Sequence, residues 1–382
     1  MKKLLLSTIC LVSALFICAT PVLALEDPLS KPNNKIGIHI LFDSELSDAA
    51  KLVNANGGDW GYVLIPLQAG DRDLVKWQKF LDEAGQKHLI PIIRLATEGD
   101  YFNTHVWRRP REEDILDFAN FLNSLTWPTK NRYVIIFNEV NRGDEWGGAA
   151  DPSEYAKLLS YAVTVFKTIN QDFFVISSGM DNAAPNQAPE YINQYSFFAQ
   201  MNTAVPGIFN QVDGFSSHSY PNPGFSQPPT INTSKSISSF QHERTLIRQM
   251  SSKRLPIFIT ETGWTNETVS EEARAKYYNQ AFKGAWADSD IVTVIPFILK
   301  ASGPFAKFSF LKEDGTETKQ YESIKSMTKT KGLPTLVKRV LAAQTVKEPS
   351  ITKEFKVQKE KQNAGVSASK AFQAVFGWVM RL

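Results

Sequence analysis

Eight short apolar runs rich in Ile and Val punctuate the chain between Lys35 and Lys325, and longer amphipathic stretches separate them. The runs are Ile36–Leu41, Gly61–Leu67, Leu89–Leu95, Tyr133–Asn138, Phe173–Ser178, Val212–His218, Ile257–Glu261 and Val292–Leu299. A strand reads as such a run when both its faces are buried, which is the condition of a parallel sheet covered by helices. The intervals fit a strand, a helix and two loops. A doubly wound open sheet alternates in the same way, but eight units with polar residues at many C-terminal strand ends select the α/β class and, within it, the (β/α)8 TIM barrel. With 382 residues, the chain exceeds the length such a barrel needs, which is about 250.

The connecting stretches carry helical signals. Asp71–Gln86 places Leu74, Trp77, Phe80 and Leu81 on one face, and Gly85 suits a C-cap. Glu112–Leu125 does the same with Ile115, Phe118, Phe121 and Leu122. Asp151-Pro152 opens a further helix with an N-cap and a proline in the first turn, running to Thr168. Glu271–Ala287 covers the seventh run. Pro and Gly gather at Pro221–Pro229, a long loop that reads as one wall of a cleft.

The two ends differ from this middle. Residues 1–24 read as a signal peptide: Lys2 and Lys3, an apolar stretch from Leu4 to Ile17, then Val22-Leu23-Ala24 as a cleavage site. The expected location is therefore secreted or extracytoplasmic, the cell surface included. Both cysteines, Cys10 and Cys18, fall in this segment, so a processed chain has no disulfide, thiolate ligand or Cys nucleophile. Ile17 before Cys18 is too large for a lipidation signal. The expected division is signal peptide 1–24, barrel 25–332 and a tail 333–382. Within the tail, Val346–Gln362 is rich in Lys and Glu, and Ser369–Leu382 is apolar, with Phe372, Val375, Phe376, Trp378, Val379 and Met380. That last piece is short for a membrane span, which takes roughly 20 residues. It reads either as a helix packed on the barrel or as an interfacial helix giving weak membrane or cell-envelope association. A monomer is expected. A net charge of +3 with no dense basic face before the tail points away from nucleic acid.

In a barrel, chemistry sits at the C-terminal ends of the strands. The fourth run leads Val134-Ile135-Ile136-Phe137 into Asn138-Glu139, and the seventh leads Ile257-Phe258-Ile259-Thr260 into Glu261. Two carboxyls facing each other across a barrel mouth are what glycosidic cleavage requires: one protonates the leaving oxygen, and the other attacks the anomeric carbon or activates water. The single-residue alternative, an ion pair or loop anchor, would have to apply at both positions.

Asn138-Glu139 on the fourth strand, with Glu261 in Ile259-Thr260-Glu261-Thr262-Gly263-Trp264 on the seventh, resembles clan A of the glycoside hydrolases, the retaining barrel enzymes that include cellulase-like, mannanase-like, galactanase-like and xylosidase-like families. The resemblance spans Lys35 to Lys325. It implies a double-displacement mechanism with Glu139 as acid/base, Glu261 as nucleophile and Asn138 on the sugar 2-hydroxyl. Members of the clan often place a His and a Tyr after the sixth strand, where this chain has His218 and Tyr220. Tyr220 would donate to Glu261, and His218 would line the subsite. Arg94, at the end of the third run, would lower the proton affinity of Glu261 or serve as a structural ion pair. Asp43 and Gln68 are candidate hydroxyl binders. Trp107, Trp146 and Trp264 are candidate stacking platforms, Trp264 foremost because it follows the nucleophile by three residues. Two departures stand out. The eighth run ends Leu-Lys-Ala-Ser-Gly, without the Trp common there, and the second run ends Pro66-Leu67-Gln68, without the Arg of some subfamilies.

Other chemistries lack their signatures. There is no Gly-x-Gly-x-x-Gly after a strand, no P-loop, no His-Glu-x-x-His and no Gly-x-Ser-x-Gly elbow. Five unclustered histidines give no metal pattern, so no metal and no cofactor is expected. The expected partner is a carbohydrate substrate. A silent carbohydrate-binding barrel and a transglycosylase using the same site remain the alternatives at this level.

Overall fold

The structure, a computed structural model, describes residues 25–97 and 106–337. Eight strands follow one another in a single parallel sheet in sequence order: β1 Gly37–His39, β2 Gly61–Gln68, β3 Leu89–Ala96, β4 Arg132–Ile135, β5 Phe173–Ser177, β6 Gly214–His218, β7 Ile257–Thr262 and β8 Ile291–Pro296. The parallel bridge Ile36–Val294 joins the last strand to the first and closes the ring. The fold is the expected (β/α)8 barrel. Its helices are α1 Leu46–Val53, α2 Leu74–Gln86, α3 Glu112–Ser124, α4 Pro152–Ile169, α5 Gln194–Ala204, α6 Ile208–Gln211, α7 Ser239–Met250, α8 Glu271–Lys283 and α9 Lys319–Ser326.

Two apolar layers follow from strand alternation. Inward-facing Leu64, Ile92, Ile135, Ile176 and Ile295 fill the barrel with Tyr133, Phe174 and Phe258, whose ring centroids lie 5.0–5.6 Å apart. Outward-facing residues such as Val63, Ile93, Val134 and Ile259 pack against Trp77, Phe118 and Leu159 of the helices. Residues 25–34 close the floor. Leu25 and Leu29 pack against the barrel interior, and Asn131 binds the Glu26 main chain from both sides of its amide.

Local signals act where the sequence places them, with exceptions. The Asp73 carboxylate accepts the Val75 and Lys76 N–H groups, and Asp151 caps α4 ahead of Pro152. Gly85 is not a C-cap: α2 runs through it to Gln86, and its bare Cα leaves room for Pro128, whose Cβ would lie 3.0 Å from an added methyl. Several strands end earlier than the apolar runs suggest. β4 stops at Ile135 because the chain leaves extended geometry at Phe137 and Glu139, where φ is +66° and +35°. β8 stops at Pro296, so the residue at the barrel mouth is Phe297.

Residues 333–337 stay on the barrel floor, with the Lys130 N–H donating to the Thr335 carbonyl at 2.8 Å and the Val337 N–H to that of Pro128 at 3.2 Å. The expected signal peptide, the Lys/Glu-rich stretch and the apolar C-terminal piece lie outside the described residues. Among the described residues, no helix is long and apolar enough to cross a membrane.

Candidate active site

Four strand ends bring the candidate carboxylates together. Glu139, four residues past the end of β4, and Glu261, within β7, are each 6% exposed at the C-terminal face. One oxygen of each and a ring nitrogen of His218 all lie within 4.8 Å of one another.

Glu261 is held from both sides. Arg94 on β3 donates through Nη1 to Oε1, and the Tyr220 hydroxyl donates to Oε2 at 3.0 Å. His218 Nδ1 stands 3.8 Å from Oε2. Burial pulls this carboxyl upward, but the charges of His218 and then Arg94 outweigh burial and hold it at about 2. Glu261 is therefore an anion at any working pH. His39, at the end of β1, has Nε2 at 4.0 Å from Oε1. Burial, and then the Arg94 charge, push His39 down to about 3. A neutral imidazole carries no attraction for the glutamate, so the ionised state rests on Arg94 and His218.

Glu139 meets His218 Nδ1 at Oε1, 2.9 Å away, and Arg142 Nη1 at Oε2, 3.4 Å away. Burial lowers the His218 proton affinity, yet the charges of Glu261 and Glu139 and the Glu139 hydrogen bond raise it above its ordinary value. His218 thus lies between both carboxylates, 1% exposed. Gly179, just past β5, makes this placement feasible: an added methyl there would lie 2.2 Å from His218 Cδ2. The Gly179 carbonyl also accepts the Glu139 N–H at 3.0 Å.

Asn138 accepts the second Arg94 contact at Oδ1, 2.8 Å. A guanidinium only donates, so the amide oxygen must face Arg94, and the Asn138 NH2 remains to donate elsewhere. Outboard of this residue, Arg94, Asn138, Glu145, Trp107 and Trp146 line one pocket. Burial, and then the Glu139 charge, raise the Glu145 carboxyl to about 8.

The tryptophan platforms need correction. Trp264 is fully buried, its centroid 4.9 Å from that of Tyr278 and 5.9 Å from that of Trp286, with its Nε1–H donated to the Gln227 carbonyl. After β7 the chain turns outward, so the ring lies between barrel and α8 instead of over the mouth. Trp146 is equally enclosed, edge-on to Phe137 and Tyr155, and forms a wall rather than an open stacking face. Asp43 accepts the Ser44 N–H, and no described contact ties it to either glutamate. Its neighbour Glu45 turns inward instead, accepting the Leu41 and Phe42 N–H groups at 2.7 and 2.9 Å.

Sequence reasoning missed four residues. Phe297 supplies an aromatic at the end of β8, edge-on to His39 and packed with Phe305 and Phe308. It was hidden because the apolar run continues past the strand. His39, Arg142 and Gly179 gave no signal, since each acts only through contacts distant in sequence or through a turn. Glu139, His218 and Glu261 have the donor types of a metal site. However, Arg94 and Tyr220 already occupy both oxygens of Glu261, and the Arg142 charge faces Glu139, so the set does not suit a cation.

No family model matches the sequence, and no curated protein matches it. Solved structures do match in fold. A family 39 glycoside hydrolase from Bacteroides cellulosilyticus WH2 is 19% identical with a TM-score of 0.55, covering 78% of this chain and 64% of its own. A family 39 β-xylosidase from Caulobacter crescentus is 15% identical with a TM-score of 0.54, covering 78% of this chain and 72% of its own. A glucosidase from Croceicoccus marinus is 10% identical with a TM-score of 0.57, covering 78% and 68%. This chain spans just under two thirds of the first of these. At such identities the likeness establishes the fold, which is the barrel of the clan that the two glutamate motifs resemble.

Proposed function

We propose that the protein is a retaining glycoside hydrolase that cleaves O-glycosidic bonds of an oligo- or polysaccharide outside the cytoplasm. One observation carries the reading: Glu139 and Glu261 bring carboxylate oxygens within 4.8 Å of each other at the mouth of the barrel. Oxygens this close favour direct attack, for which the two carboxyl groups stand about 5–5.5 Å apart, over water activation, for which the groups stand about 6.5–9.5 Å apart. The glycosidase neighbours in fold support the same class of reaction.

The chemistry follows from the contacts. Glu261, kept anionic, attacks the anomeric carbon while Glu139 passes a proton to the departing oxygen, so the C–O bond breaks as the ester bond forms. Glu139, now a carboxylate, takes a proton from water, and the resulting attack on the anomeric carbon releases the sugar and regenerates Glu261. The Tyr220 hydroxyl and the Arg94 guanidinium orient Glu261 before attack, an arrangement that needs no reorganisation in the transition state. The Asn138 NH2, left over by Arg94, donates to the sugar 2-hydroxyl. His218 backs Glu139 through Oε1, and Oε2, with Arg142 Nη1 at 3.4 Å, is the oxygen that serves the leaving group.

The signal peptide supports action outside the cytoplasm, and the apolar end of the tail supports a weak hold on the envelope. A panel of aryl glycosides and plant, fungal and bacterial polysaccharides tests the reading. Wild type should release sugar with retained anomeric configuration, seen by NMR on the first product, and E261Q should not turn over. Full activity in E261Q, or inverted product, refutes it. Product analysis with added acceptor sugars separates hydrolysis from transfer.

A further inference from the structure

Arg142 follows Glu139 by three residues, and its N–H donates to the Glu139 carbonyl at 2.9 Å, so the chain turns back on itself there. The loop is pinned. Asn141 bridges the Asp181 and Ile192 main chains, and the Gly143 N–H donates to the Glu190 carbonyl at 2.7 Å. The guanidinium is divided between three acids. Nε and Nη2 form a fork on Asp144 at 3.0 and 2.7 Å, while Nη1 reaches Glu139 Oε2 at 3.4 Å and Asp181 Oδ2 at 3.7 Å. Asp181 lies on the loop after β5 and is bridged to His218 through the main chain. Its own carboxyl is pushed up to about 6, by burial first and by Glu139 second, with Arg142 opposing.

A double displacement asks opposite things of one group. Glu139 must hold a proton for the first half-reaction and lack it for the second. A cation beside its carboxylate favours the second state, and an anion favours the first. Both lie next to Glu139, Arg142 on the loop after β4 and Asp181 on the loop after β5. We propose that Arg142 and Asp181 are positioning residues of opposing charge that set the balance of Glu139 between acid and base, Arg142 favouring the carboxylate and Asp181 the acid. The pair acts in a defined surrounding. Asp144 and Glu145 face Arg142 from its own loop, His218 faces Glu139 from β6, and Arg94 and Glu261 close the site from β3 and β7. The inference rests on the glycosidase reading.

The test is the pH dependence of kcat/KM on a poor-leaving-group aryl glycoside, whose alkaline limb reports loss of the proton shared by Glu139 and His218. R142Q moves that limb up by about one pH unit, the low end for a charge at this range because Asp144 takes much of the field. R142K leaves the limb in place. D181N keeps Oδ1 for the Ala183 and Ala184 N–H groups, removes the charge and turns the oxygen facing Arg142 into an NH2, so the limb moves down. With a dinitrophenyl glycoside, whose second half-reaction limits turnover, R142Q lowers kcat near neutrality by up to about tenfold. Loss of packing cannot shift one limb in opposite directions. An unmoved limb, or the same direction in R142Q and D181N, overturns the proposal. Where R142Q does not fold, the sign in D181N decides alone. A wild type that cleaves no glycoside overturns the hydrolase reading instead.

Discussion

Gly179→Ala tests whether the seat of His218 matters for catalysis. Gly179 does not have a left-handed φ, so alanine suits its backbone and any effect comes from the added methyl. That methyl would stand 2.2 Å from His218 Cδ2, 2.4 Å from Nε2 and 2.8 Å from Ser216 Oγ, where an ordinary contact is 3.4 Å or more. Relief requires the imidazole to retreat by about 1.2 Å, the difference between these distances. A shift of that size takes Nδ1 out of its 2.9 Å hydrogen-bond geometry with Glu139 Oε1. Overpacking of this kind costs about 1–3 kcal/mol of stability. Displacing a site group by about 1 Å costs roughly 100-fold in rate. The assay is kcat/KM with thermal denaturation for G179A, H218A and the double variant. Because both changes act on one contact, the double variant should be no slower than H218A. Wild-type kcat/KM in G179A, or fully additive losses in the double variant, would refute the reasoning.

Tyr220→Phe removes the donor on Glu261 Oε2 and should lower kcat by about 100-fold, with the melting temperature unchanged. Trp264→Ala empties a site in the core beside Tyr278 and Trp286. Denaturant unfolding should show a loss of about 3–5 kcal/mol, while KM stays at its wild-type value; a raised KM at full stability would restore Trp264 as a platform. Glu243, buried on α7 and bound by Ser217 Oγ at 2.9 Å, is raised by burial from 4.5 to about 7. The folded state therefore keeps a proton that the unfolded state has released between those values, and this glutamate makes stability fall as pH rises from 4.5 to 7. Glu243→Gln should remove that share of the fall, of order 3 kcal/mol, in urea melts across the window.

The barrel was legible because strands buried on both faces leave continuous Ile and Val runs, and because each glutamate interrupts such a run at a position no core tolerates. Strand ends were less legible. Hydrophobicity continues through Ile136-Phe137 and through Phe297-Ile298-Leu299, although the backbone has already left the sheet, so Phe297 was read as strand interior and its place at the mouth was missed. Tryptophan was misread for a related reason: a βα loop presents side chains both to the mouth and to the helix layer, and Trp264 and Trp146 point to the latter. Gly179, His39 and Arg142 acquire meaning only across the barrel. A glycine two residues past a strand, a histidine ending a strand and an arginine in a loop have no sequence mark that separates them from their structural equivalents.

The pairing of Glu139 with Glu261 is tested most directly by trapping the covalent intermediate. Incubation with 2-deoxy-2-fluoro glycosides bearing activated leaving groups, chosen from the sugars the panel identifies, should add one glycosyl mass per chain. Peptide mapping should place it on Glu261, and the adduct should persist longer in E139A than in wild type. A label on any other residue, or efficient turnover with inversion and no adduct, would contradict the account.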